Sequence, residues 1–277
     1  MNLDRKLLCT SVCLMLVGLT SCGTATAPVS GAGLNGNWNL VADSQLKHPP
    51  LSTTLTVNGN QITGGGFLEI QCQSGTPLIG GYSLAFTGTL APDGTFHVTE
   101  PVADTVQVTI DGTVPVNNSS SWNGTYTINL AAASGCSLNQ TETFTAVPFA
   151  PVAGTYAGAI SGVQLGSGVS ASVQISEDIP QTIQSTNGST RTRYPLSGTI
   201  SVQGSSCFKQ GTTTGSLYLN EIAGNFVTMG FVMDDGSNLT FYGPFTDMSE
   251  TEINPVMFTV SGGQCANKSG GSDLTKQ

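Results

Sequence analysis

The sequence predicts an all-β chain of two tandem antiparallel β-domains, each a small up-and-down barrel or a sandwich, with one disulfide in each. Three observations carry this. Apolar residues recur with period two through most of the chain, turn dipeptides separate the alternating runs, and motifs that open and close the first half return in the second.

The alternation is clearest where an apolar face meets a hydroxyl face. Leu55/Val57 alternate with Thr54/Thr56, Tyr82/Leu84/Phe86 with Ser83/Ala85/Thr87, and Val106/Val108/Ile110 with Gln107/Thr109. Tyr126/Ile128/Leu130 alternate with Thr127/Asn129. The second half gives Val169/Ala171/Val173/Ile175, Leu196/Ile200/Val202 and Val256/Phe258/Val260. Such runs are antiparallel strands with one buried face. Asn58-Gly59, Asp93-Gly94, Asp111-Gly112, Asn123-Gly124, Asn187-Gly188 and Asp235-Gly236 read as hairpin turns between them. No window of helical length has a 3.6-residue period. Seven or eight strands per domain of roughly 115 residues suit a barrel and a sandwich equally.

The repeat is visible at both ends of each half. Leu34-Asn-Gly-Asn-Trp38 opens the first, and Val152-Ala-Gly-Thr-Tyr156 opens the second 118 residues later. Each half closes on a strand, a Gly-containing turn and a Cys, Cys136 or Cys265, before one last short stretch. Pro148-Phe-Ala-Pro151 reads as the linker, because paired prolines interrupt both ladders and helices.

Composition excludes whole classes of function. The chain of 277 residues has 8 Lys+Arg against 17 Asp+Glu, a net charge of −9, and only 9% charged residues. No basic side chain lies between Lys47 and Arg191, so no positive field exists to hold a nucleic-acid backbone. Gly31, Gly33 and Gly36 spell a dinucleotide-binding spacing, but no strand precedes them and no helical pattern follows.

The N-terminus carries an address. After Arg5 and Lys6, Leu7 to Leu19 form an apolar run of 13 residues, short for a bilayer span of ~20 and suited to a secretory signal. Leu19-Thr20-Ser21-Cys22 follows, and it resembles the bacterial lipobox. That resemblance implies a diacylglyceryl group on the Cys22 sulfur, cleavage before Cys22 and acylation of the new amino group. Gly23, where Asp would retain a lipoprotein at the inner membrane in many Gram-negative bacteria, leans the localisation towards the outer membrane. The expected organisation is a signal peptide over 1–21, a lipidated Cys and flexible tether over 22–33, a first β-domain over 34–147, a linker over 148–151 and a second β-domain over 152–277.

Seven Cys resolve on this scheme: Cys9 and Cys13 leave with the signal, Cys22 carries lipid, and Cys72, Cys136, Cys207 and Cys265 remain. Four Cys allow three pairings. Cys72–Cys136 and Cys207–Cys265 enclose nearly equal loops, and an exported protein favours such intradomain disulfides over a metal site.

Two resemblances bear on architecture. Gly36-Asn37-Trp38 on a first strand resembles the lipocalin/calycin barrels, whose Trp plugs the closed end. The second half has Tyr156 in place of that Trp, Thr141 to Thr145 lack the Arg that covers it in the family, and no C-terminal helix is evident. A wider resemblance, spanning both halves, is to two-repeat β-rich lipoproteins of soil bacteria, a family that implies an architecture and no activity.

Catalytic chemistry finds little support. Ser44-Gln-Leu-Lys47, with His48 beside it, matches a penicillin-binding motif, yet Pro49-Pro50 breaks the helix such a motif needs. Asp247, Glu250 and Glu252 read as a solvated loop, and Asp234-Asp235-Gly-Ser-Asn238 as a hairpin tip without the spacing of a calcium loop. No catalytic residue, metal site or cofactor is assigned. Among the aromatics, which include Trp122 and Tyr126 in the first half, the candidate pocket residues are Trp38, Tyr82, Phe86, Tyr156 and Phe241. Core packing is the competing use for them. Phe226 to Met233 are apolar on both faces, as at an interface. The expected function is a non-catalytic envelope lipoprotein presenting two β-domains for structural or interaction roles. The alternative is binding of a small apolar or glycan ligand in a lipocalin-like barrel, with an envelope hydrolase ranked below both. The implied partners are a membrane, through the lipid on Cys22, and that small ligand.

Overall fold

The computed structural model describes residues 29–43, 51–70, 80–100, 106–115, 120–130, 138–163, 165, 167–184, 188–213, 220–245 and 252–277. The first half contributes β1 (Gly36–Ala42), β2 (Leu51–Asn58), β3 (Gln61–Ile70), β4 (Gly80–Leu90), β5 (Thr95–Thr99), β6 (Val106–Thr113), β7 (Trp122–Leu130) and β8 (Leu138–Pro148). Each pairs antiparallel with the next, and β8 returns to β1 with Leu40 opposite Ala146, closing a barrel. The barrel alternative is therefore the observed one.

The second half contains β9 (Gly154–Val163), β10 (Ser170–Glu177), β11 (Gln181–Gln184), β12 (Thr190–Gln203), β13 (Gln210–Thr212), β14 (Glu221–Ala223), β15 (Phe226–Met233), β16 (Asn238–Pro244), β17 (Glu252–Ser261) and β18 (Ser269–Lys276). Strands β9, β10, β12, β13, β15, β16, β17 and β18 form the second ring, closed by β18 on β9. Short β14 bridges β12 and β15 beside β13, and β11 forms a hairpin with the first residues of β12.

The repeat extends to single hydrogen bonds. Trp38 Nε1 donates to the Leu34 carbonyl at 2.9 Å, and Tyr156 OH donates to the Val152 carbonyl at 2.8 Å, each four residues back. Leu34 and Val152 are wholly buried beneath these rings. Both barrels thus close the end where their first strand begins with the same device, an aromatic side chain bonded to the backbone just before it.

Three readings of local sequence are corrected. Asp111-Gly112 and Asn123-Gly124 are not turns; they lie inside β6 and β7, with Gly112 opposite Gly124. A side chain on Gly112 would fall 2.7 Å from the Phe96 ring, so the position is small because the rings of the core occupy the space. The flexible tether does not reach residue 33: Gly31–Leu34 form a 3-10 turn with Gly31 buried, and Val29 packs on the first core. The linker is also shorter at its start, since Pro148 is the last residue of β8 and pairs with Trp38. Asp93 and Asp235 do sit in tight turns, accepting bonds from the backbone N–H of Thr95 and Ser237.

One disulfide, Cys207–Cys265, is present among the described residues, tying the loop after β12 to the turn before β18. Cys72 and Cys136 lie outside the described residues.

The outer walls of the two barrels meet over β2, β3 and β4 of the first and β12, β14 and β15 of the second. Thr56 and Thr63 share hydroxyl contacts of 3.0 to 3.2 Å with Thr182 and Thr192. Asn37 Nδ2 donates to the Gly224 carbonyl at 2.6 Å, and Ser52 Oγ donates to Asn225 Oδ1 at 2.8 Å. Phe67 stacks on Phe226 with centroids 4.3 Å apart, which explains why β15 is apolar on both faces at its start. Gly65 permits the approach: a Cβ there would lie 2.2 Å from the Thr192 carbonyl oxygen.

Two outcomes follow for stability. Gly65→Val is expected to part the barrels without unfolding either, giving two thermal transitions in place of one and faster proteolysis at residues 149–153. Replacing Cys207 and Cys265 with Ser opens a loop of 58 residues, and it should lower the stability of the second barrel in urea by about 4 kcal/mol.

Candidate functional site

An eight-stranded barrel is just wide enough for its own side chains to fill it. At the plugged end of the first barrel they do. Trp122 makes edge contacts with Trp38, Phe96 and Phe144 at centroid distances of 5.9, 5.3 and 5.1 Å, and Phe86 is wholly buried in the same core. Tyr126 stacks on Phe144. Beyond this layer, towards the end where β1 finishes, the inward positions of β7 and β8 change character. Tyr126 stands opposite Glu142 and Ile128 opposite Gln140, with Gln140 Nε2 3.4 Å from Glu142 Oε1. Alternation from Phe96 and Val98 also turns Glu100, just past β5, inward.

Two of these groups are buried without a hydrogen-bond partner. The Tyr126 hydroxyl lacks one on a side chain 1% exposed, and Glu100 Oε2 lacks one on a residue 8% exposed. Burial pushes the Glu100 carboxyl up to about 7, against the smaller opposing effect of the Ala85 N–H. Burial, and then the charge of Glu142, pushes the Tyr126 phenol up to about 12, so it remains protonated. An unpartnered polar group in a low-dielectric interior costs free energy until water or a ligand meets it. This end of the first barrel is the candidate site.

The second barrel differs. Its Tyr156 hydroxyl is satisfied, and Val152 N–H donates to Glu177 Oε2 at 2.8 Å. Glu177 is raised by burial, an effect opposed by the Val152 and Ala153 N–H groups and by Lys276. Inward positions elsewhere are filled by Val173, Ile175, Ile200, Met229, Phe231, Phe241 and Phe258.

The predicted pocket residues divide between the two interiors. Trp38 and Phe86 lie in the first core with Tyr82 half-buried against it; Tyr156 and Phe241 lie in the second. Tyr126 stood only in the wider set of aromatics, and the sequence pattern did not mark Glu100, Gln140 or Glu142 as site residues. The available signal was on β8, where the inward period of Ala146 and Phe144 continues into Glu142 and Gln140.

A second polar cluster lies on β12 and β14. Glu221 Oε1 meets Arg191 Nη2 and Glu221 Oε2 meets Arg193 Nη1, both at 2.7 Å, with the Arg193 side chain 1% exposed. On the outer wall, His97 Nδ1 lies 2.7 Å from Asp111 Oδ1 above a shallow hollow of about 620 Å³ lined by Thr95, Asn123 and Thr125. Both partners are more than half exposed, where such a pair contributes little. Both carboxylates of the Asp234-Asp235 tip accept backbone N–H groups, from Lys209, Ser237 and Gln264. Cys22, Ser44, Lys47, His48, Asp247 and Glu250 lie outside the described residues.

Glu100 gives the site a pH signature. Its folded pKa of about 7 exceeds the ordinary 4.5, so the folded state holds a proton that the unfolded chain releases. Stability should fall as pH rises from about 4.5 to 7 and stay lower above. Glu100→Gln is expected to remove that dependence and stabilise the protein at pH 8.5 by roughly 1 to 3 kcal/mol, as read by urea denaturation at pH 5 and 8.5. A scan against protein-family models finds no match for the chain, and searches of the curated proteins and of the solved structures find none either.

Proposed function

We propose that the chain is a lipid-anchored bacterial envelope protein, without catalytic activity, that binds a small ligand at the open end of its first barrel. The observation that carries the reading is the pair of buried, unpartnered groups there, Tyr126 OH and Glu100 Oε2. The second barrel meets its Tyr156 hydroxyl and Glu177 carboxylate with backbone partners, so the difference is a property of the first barrel and not of the fold. The lipobox-like Leu19-Thr20-Ser21-Cys22 supplies the anchor. Two or more acyl chains hold a protein stably on a membrane where one does not. The outer membrane is the proposed location, from Gly23.

The hydroxyl and amide seam favours a second reading, in which the two barrels act as one rigid body displayed to a protein partner. The anchor serves both. Cys22→Ser should move the protein from the membrane to the soluble fraction and abolish incorporation of labelled palmitate. Membrane retention of the variant would refute the anchor. Saturable binding of a small probe by the first barrel separates the ligand reading from pure display.

A further inference from the structure

We infer that the open end of the first barrel selects an organic ammonium group, such as a primary alkylamine, and rejects carboxylate ligands; this rests on the ligand-binding reading above. The inner wall there carries Glu100 and Glu142, with Gln140 beside them and Tyr126 below. Residues 51–148 contain six carboxylates, Glu69, Asp93, Glu100, Asp104, Asp111 and Glu142, and no Lys or Arg at all. The second barrel, by contrast, sets Arg191 and Arg193 on Glu221 and Lys276 near Glu177.

Charge and hydrogen-bond inventory point the same way. An anionic headgroup entering this end would face two carboxyl groups with no cation in the barrel wall to offset them. An ammonium brings up to three N–H donors, and both a carboxylate oxygen and a phenol oxygen accept them. The Tyr126 and Phe144 rings below add faces that attract a cation and accommodate the methylenes of an alkyl chain. The acids alone would not define a site; the unpartnered oxygens of Tyr126 and Glu100, each on a residue at least nine-tenths buried, are the independent observation.

The protein carries its own reporter, since its two tryptophans, Trp38 and Trp122, are both inside the first barrel. The full chain bearing Cys22→Ser would be titrated with hexylammonium, hexanol and hexanoate, followed by tryptophan fluorescence and calorimetry at pH 7.5. Saturable binding of hexylammonium at least tenfold tighter than hexanoate is expected, with hexanol between them. Glu100→Gln and Glu142→Gln should each weaken hexylammonium at least tenfold, while Glu177→Gln in the second barrel and Asp93→Asn on the surface leave it unchanged. Circular dichroism and the urea midpoint confirm that each variant is folded. Equal binding of hexanoate and hexylammonium would overturn the selection and leave the binding reading standing. Absence of binding by all three probes would overturn both.

Discussion

Each barrel depends on the return of its last strand to its first, β8 to β1 and β18 to β9. Closure removes the sheet edges, so the backbone groups that would otherwise face solvent or another chain are paired within the ring. It also fixes a narrow interior in which every inward side chain competes for the same space. The glycines at 112 and 124 answer that competition, giving way to the Phe96, Trp122 and Phe144 rings. So does the bond from Trp38 or Tyr156 to the carbonyl four residues earlier, which anchors a large ring where the wall begins and seals that end.

Closure explains how so little charge is needed. The outward positions are largely Thr, Ser and Asn, residues that remain hydrated without ion pairs and, for Thr, favour the strand conformation. Where the barrels touch, the same residues change role. Ser52, Thr53 and Thr54 are almost wholly buried. Ser52 and Thr54 bond across the seam to Asn225 and Gly224, while Thr53 bonds within its own barrel to the Gly65 carbonyl. A hydroxyl is small and can both donate and accept, so it tolerates either environment, and the seam needs no apolar patch beyond Phe67 and Phe226.

That dual use sets the limit of what was legible. The alternation along β6 and β7 identified strand, face and core residues together, because one wall is buried and the other wet. The 118-residue spacing from Trp38 to Tyr156 revealed the repeat. The seam was not legible, since Thr54 and Thr56 alternate with Leu55 and Val57 in the same way whether they face water or another barrel. Asp111-Gly112 and Asn123-Gly124 misled because glycine serves two needs, a turn's backbone and a core's lack of space, and the dipeptide does not distinguish them. The candidate site was missed for a related reason. Glu142 stands in an apolar period on β8 but reads as one more polar residue among Thr141, Thr143 and Gln140.

Duplicated domains inherit the same scaffold, so their differences isolate what the scaffold does not require. Both barrels need a plug, and both have one. Both enclose a buried glutamate, yet Glu177 is met by two N–H groups and lies near Lys276, while Glu100 has the Ala85 N–H and one oxygen left over. Packing does not demand this, since the second barrel shows the fold closing without it. Stability opposes it, because a carboxyl raised to about 7 by burial destabilises the folded state whenever it ionises. A cost confined to one of two equivalent domains, at the end of the barrel away from its plug, is the form that a binding function takes in a protein whose architecture is otherwise self-sufficient.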